Sequence, residues 1–185
     1  TPSGALTSTA SGVEARSAPL EVPGLDYIVY DYLAEITMSI MARARAQDDS
    51  KGYAVDFVSA AMKPNLARIA ARGIKVISNA GGVNPLACAD ALRALVKEQG
   101  LDLSVACVVG DDLMGAAAEL AAAGATEMFS GEPFPAVSKL QSINAYLGAF
   151  PIARALAAGA DIVVTGRCVD SAVTLGACIH AFGWG

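Results

Sequence analysis

Arg167 stands in the run Thr165-Gly166-Arg167-Cys168-Val169-Asp170, directly after a β-branched stretch. A guanidinium at such a turn is a permanent cation whose planar fork matches a carboxylate or a phosphate. Asp170, three residues on, is placed to orient that guanidinium or to cap the helix that follows. A second turn reads Asn79-Ala80-Gly81-Gly82-Val83-Asn84 before Pro85. Its glycines permit close backbone approach, and the helix start beyond it offers amides and a partial positive charge to an anion. Asn79, Gly81, Gly82, Asn84, Thr165, Gly166 and Arg167 are therefore the candidate ligand- and anion-binding residues. The competing reading is a tight turn capped by Asn84 and a local Arg–Asp pair.

Carboxylates supply the candidate proton chemistry. Asp31 and Glu35 lie four residues apart across another strand-to-helix junction, and either works as a general acid or base if its environment tunes its pKa. Glu35 equally suits a first helical turn, where it complements the helix dipole. Asp31, Glu35 and Asp170 are the candidate catalytic residues. Asp111-Asp112 is a further pair, read first as a helix cap and second as a metal or ribose contact. His180 is the single histidine and is read as structural, so a histidine-rich metal site is excluded. No metal motif, Walker A, GxGxxG or GxSxG signature occurs, and no cofactor is assigned.

These residues need elements to carry them. Residues 1–23, rich in Ser, Thr, Ala, Pro and Gly, read as an irregular segment. Strands are expected at Leu25–Tyr32, Ile74–Ser78, Leu103–Val109 and Ile162–Thr165, each a β-branched or aromatic run. Helices are expected at Ala34–Ala46 (with Ile36, Ile40 and Met41 on one face), Val55–Arg72 with a kink or split at Pro64, Pro85–Gln99, Leu113–Ala123, Ser142–Ala158 and Ala172–Phe182. In the fifth, Pro151 either interrupts the helix or marks its start. Strands alternating with helices predict an α/β fold of three layers, a mostly parallel sheet with helices on both faces, over residues 24–185. In such a sheet all the turns named above fall on the carboxyl edge, where ligands bind.

Bulk properties narrow the function classes. With 54% hydrophobic and 17% charged residues in a chain of 185, a folded core is expected. The net charge of −5 and the lack of a basic cluster disfavour nucleic acid. No apolar run approaches the roughly 18 residues of a membrane helix, so no membrane partner is expected and the cytoplasm is the expected location. Cys88, Cys107, Cys168 and Cys178 form no CxxC pair and read as small buried residues in a reducing compartment, with Cys168 set apart by its place in a site turn.

Five stretches together resemble the acyclic terpene utilisation (AtuA-like) family: LDYIVYDYLAE (Leu25–Glu35), IKVISNAGGVNPLACA (Ile74–Ala89), VVGDDL (Val108–Leu113), NAYLGAFPIARALAAGADIVVTGRCVDSA (Asn144–Ala172) and HAFGW (His180–Trp184). The resemblance covers Leu25 to Trp184 and matches the family's recurrent positions at Asp31, Glu35, Asn79, Gly81, Asn84, Pro85, Gly166, Arg167 and Asp170. It implies a role in catabolism of acyclic terpenes through acyl-CoA intermediates. Two departures are noted. Family members open with a strand and a glycine-rich turn, of which only Ala10-Ser11-Gly12 is a faint counterpart here, and they continue past the segment at Phe182, so the chain is expected to be an N-terminal portion.

The expected function is a catabolic enzyme, or the remnant of one, acting on an acyl-CoA or carboxylated isoprenoid metabolite in a hydratase- or lyase-like step. The alternative is a non-catalytic small-molecule-binding or assembly subunit. A small-molecule substrate and a homo-oligomer or larger complex are the expected partners.

Overall fold

Among the described residues, five short strands form one parallel sheet in the order β1-β2-β3-β5-β4. They are β1 (Ala5–Ser8), β2 (Tyr27–Tyr30), β3 (Lys75–Ser78), β4 (Val105–Val108) and β5 (Ile162–Thr165). The computed structural model describes residues 5–8 and 18–185. β2 and β5 are buried along their whole length, which is why their sequences are unbroken apolar runs rather than alternating ones.

Among the described residues, six α-helices surround the sheet: α1 (Glu35–Gln47), α2 (Leu66–Arg72), α3 (Pro85–Glu98), α4 (Ala117–Ala122), α5 (Ala149–Ala157) and α6 (Ala172–Phe182). One core joins α2 and α3 to the sheet through Leu66, Ile69, Cys88, Leu92, Val76 and Val164. The other joins α5 and α6 to the opposite face through Ile152, Leu156, Val173, Ala177, Ile77 and Val163. Successive residues of β3 and β5 thus serve different layers, and the three-layer expectation holds.

Two differences from the sequence reading, and two alternatives it leaves open that the structure decides, have local causes. β1 lies inside the segment read as irregular, paired to β2 from Ala5↔Tyr27 to Ser8↔Tyr30. It is an edge strand of four residues, too short to register as a run. A strand therefore does precede Ala10-Ser11-Gly12, whose own turn lies outside the described residues. Second, α1 buries Met38 and Ala42, while Ile36 and Ile40 face outward; the helix sits across the strand ends against Leu33 and Val83. Third, the expected helix from Val55 divides at Pro64 into a π-helix, Phe57–Met62, and α2, which closes on Gly73 in the left-handed conformation. Fourth, α5 begins only at Ala149, with Pro151 in its first turn. Residues 142–148 are instead held by single bridges, Asp112↔Asn144 and Leu147↔Cys168.

The strand order decides where a crevice opens. The chain leaves β3 through α3 on one face, skips a position to β4, and returns to place β5 between them. β5 then exits through α6 on the other face. Neighbouring strands whose connections leave in opposite directions define the switch point at which open α/β sheets bind ligands. Here it lies between the ends of β3 and β5, under the start of α1.

Candidate functional site

Arg167 fills that switch point. It leaves the end of β5 on a turn that packs so closely against Asp111 that a β-carbon on Gly166 would collide with the Asp111 carboxylate. Asp111, directly after Gly110 and three residues beyond the end of β4, accepts from the Arg167 amide at 2.8 Å and from Asn144 Nδ2 at 2.9 Å, both on Oδ2. Burial pushes the Asp111 carboxyl above its ordinary value, and these hydrogen bonds only partly offset it. Asp111 is thus a buried clamp on the arginine turn.

The guanidinium points back toward α1. Nη1 donates to the Leu33 carbonyl at 3.0 Å and to Asp170 Oδ1 at 3.1 Å. Nη2 donates to Glu35 Oε1 at 3.2 Å and to the Tyr146 hydroxyl at 3.0 Å. Tyr146 in turn donates to Glu35 Oε1 at 2.8 Å, and its ring centroid lies 4.2 Å from the guanidinium carbon. The Arg167 side chain is only 3% exposed, yet those of Glu35 and Asp170 are 81% and 67% exposed. Nε is buried with no partner among the described residues. A sequestered cation therefore meets solvent through exposed anionic partners.

The charge states follow from these contacts. Burial works against the Arg167 cation, but Tyr146, Asp170 and Glu35 outweigh it and raise its pKa further. The Glu35 carboxyl is lowered, first by its own backbone amide at the start of α1, then by Tyr146 and by the Arg167 charge. Glu35 is thus an ionised, exposed carboxylate aligned by a hydroxyl and a guanidinium, an arrangement able to accept a proton.

The other expected ligand residues lie on the same edge but have their polar groups committed to the protein. Asn79 accepts from the Tyr32 amide at 2.7 Å and donates to Asp31 Oδ1 at 2.6 Å, a latch between the ends of β2 and β3. Asp31 also receives the Leu33 amide at 3.2 Å. The amides of Gly81, Gly82, Val83 and Asn84 donate to the carbonyls of Thr165, Asn79, Gly52 and Gly81. The amides from Gly81 to Asn84 are thus all donated within the protein. Asn84 caps α3, accepting from the Ala87 amide, and donates to the Asp49 and Lys51 carbonyls at 2.8 Å each. The Thr165 hydroxyl donates to the Gly166 carbonyl at 2.8 Å. These hydrogen bonds tie the Asn79–Asn84 turn to the ends of β2 and β5.

Sequence reasoning missed Tyr146, Asn144 and Arg45. Tyr146 and Asn144 lie before Pro151 in the segment that the sequence leaves open between a helix and a loop entering one, and the structure has them in the loop. Arg45 lies on α1, pairs with Asp112 at 3.5 Å, and also donates to the Val83 carbonyl. It lines a cavity of about 290 Å³ with Asp112, Ser142 and Asn144.

His180 Nδ1 lies 2.8 Å from the hydroxyl of Tyr27. The four cysteines are free, and burial raises the Cys168 thiol pKa, which keeps it protonated. Among the described residues no group of three or more His, Cys, Asp or Glu could hold a metal ion, and no helix is long and apolar enough to cross a membrane.

A family model described as "Acyclic terpene utilisation family protein AtuA" matches residues 3–185. No curated protein and no solved structure matches.

Proposed function

Because the chain belongs to the acyclic terpene utilisation family, we propose that it is a catabolic enzyme that moves a proton on a carboxylated or acyl-CoA isoprenoid metabolite. The observation that carries this reading is the Arg167–Tyr146–Glu35 cluster at the switch point. A substrate carboxylate or thioester oxygen exchanges with Asp170 on the guanidinium, which loses little because Asp170 is mostly in solvent. Glu35 is the proton acceptor, Tyr146 aligns it, and Asp111 holds the arginine turn.

The step that suits these groups is hydration of a double bond conjugated to the thioester. Glu35 takes a proton from water, and the water oxygen bonds to the β-carbon. The double-bond pair moves toward the carbonyl oxygen, whose charge Arg167 offsets. The α-carbon then recovers the proton from Glu35, so one water adds and no oxidant is needed. The reverse is a dehydration, in keeping with a hydratase or lyase.

The test is incubation of the full chain with branched unsaturated acyl-CoA thioesters, with product mass followed. Gain of one water, lost in Glu35→Gln while the protein still melts cooperatively, supports the reading. No turnover of any such thioester, or turnover equal in Glu35→Gln, overturns it. The assembly-subunit reading draws on one feature, the exposed stack of Phe182 on Trp184 with centroids 5.3 Å apart. Light scattering that shows a complex broken by Trp184→Ser favours it.

A further inference from the structure

The most exposed large apolar side chains among the described residues fall into two pairs. Met128 and Phe129 stand at 83% and 88% exposure, and Ile36 and Ile40 at 71% and 60%. The first pair tips an arm that has little packing of its own. From Gly115 to Leu140 only Ala117 is buried. Within that arm α4 packs chiefly on the turns Met114–Ala116 and Val137–Lys139 of the same segment. A helix of six residues is marginal in water without tertiary packing, so the arm is stabilised by whatever covers it. The second pair lies one turn apart on α1, on the stripe that also carries Arg43. Ile36 directly follows Glu35.

The tip is fixed by its own hydrogen bonds. The Glu127 carboxylate accepts the Phe129 amide at 2.9 Å and also the Ser130 amide. The Glu127 amide donates to the Glu132 carbonyl at 2.8 Å, and the Gly131 amide to the Glu127 carbonyl at 2.9 Å. Gly131 supplies the positive φ, 72°, that this turn requires. An antiparallel bridge between Thr126 and Pro133 closes the base. Two apolar side chains held out by a fixed turn lose little freedom on binding. Charge then selects the surface they meet. Glu132, in the same turn, and Arg43, three residues after Ile40, are both exposed, and neither forms an ion pair among the described residues. An apolar tip with an acidic neighbour thus matches an apolar helix face with a basic one. Both stand open in one copy, so the match is made between copies.

We infer that the Met128–Phe129 tip of one copy docks on the Ile36–Ile40 face of α1 in a second copy of this chain, with Glu132 paired to Arg43. Exchange in both directions makes two identical contacts and closes a two-fold dimer. Each tip then borders the first turn of α1 in the other copy, the turn that carries Glu35. The dimer is independent of the reaction proposed for the Arg167 cluster.

The experiment is light scattering and sedimentation of the full chain across micromolar concentrations. A species of twice the chain mass is expected. Phe129→Ser should weaken the association about thirtyfold or more. Its far-ultraviolet spectrum should not change, because Phe129 is nearly bare in a single copy. Glu132→Arg and Arg43→Glu should each weaken the dimer about tenfold, and the two reversals in one chain should restore it. Trp184→Ser, outside both patches, should leave it intact. A chain that stays monomeric, a dimer indifferent to Phe129→Ser or to either charge reversal, a double variant no tighter than the single ones, or a complex broken only by Trp184→Ser each overturns the inference.

Discussion

The two edges of the sheet use the same kinds of residue to opposite ends. At the amino edge Lys75 Nζ meets Asp161 Oδ1 at 2.8 Å. Asp161 Oδ2 takes the Ser104 amide at 2.8 Å and its hydroxyl at 3.0 Å. These residues start β3, precede β5 and precede β4, so they fasten three strands. Both charged side chains are about equally shielded, at 28% and 26% exposure, and each finds its partner within the network. At the carboxyl edge the pairing is lopsided: a buried guanidinium is answered by carboxylates that stand mostly in water. A closed network resists exchange and a lopsided one invites it, which is why only the second is read as a site.

The strongest way to break this contrast is a pair of variants. Glu35→Gln is expected to lower turnover by about 10²-fold or more while leaving the melting temperature unchanged. Lys75→Met is expected to do the reverse, leaving turnover alone and costing about 1 kcal/mol in denaturant unfolding. A loss of turnover in the lysine variant would mean that the two edges are not independent.

Next in size is Asp111→Ala. It leaves the Arg167 amide and Asn144 unpaired inside the protein and should destabilise by about 3 kcal/mol, measured by urea unfolding. Gly166→Ala, which drives a methyl group into the Asp111 carboxylate, should cost about 2 kcal/mol. It should also weaken thioester binding, because the Arg167 turn must shift. An unchanged melt in either variant would show that this clamp is dispensable.

The smallest effect is on pH dependence, and it has opposite signs at the two edges. Burial pulls the Asp161 carboxyl upward, but Lys75 and Ser104 more than reverse this, so its folded pKa is lowered. Such a group contributes stability above the ordinary carboxylate value, and that stability is lost as pH falls through the folded value. Asp111 is raised chiefly by burial. Its contribution is most favourable below its unfolded pKa and is lost as pH rises through the folded value. Unfolding free energies measured from pH 7 to 3 should therefore fall less steeply in Asp161→Asn and more steeply in Asp111→Asn than in the unaltered chain.

Much of the frame was legible because it is local. Unbroken apolar runs marked β2 through β5, and Ile162–Thr165 and Ala172–Phe182 were read with the limits observed. Gly73 marked the end of α2, and parallel pairing put Asp31, Asn79, Asp111 and Arg167 on one edge. β1 escaped notice because a four-residue edge strand has little pattern of its own. Tyr146 escaped because neither a helix nor a loop reading of residues 142–148 tells what they lie against, and bridges to Asp112 and Cys168 are what hold the segment there.

The sequence alone determined the fold class, the edge on which polar groups gather, and Arg167 as the cation there, since propensity and periodicity act over a few residues. Only the tertiary structure decided which polar groups remain exchangeable. Asn79, Gly81, Asn84 and Thr165 had the right chemistry for a ligand, yet neighbouring turns consume it. Arg167 reaches Leu33 and Glu35 across more than 130 residues of chain, and Tyr146 reaches Glu35 across 111. A hydrogen bond depends on where both partners end up in space, and that is settled when the layers pack.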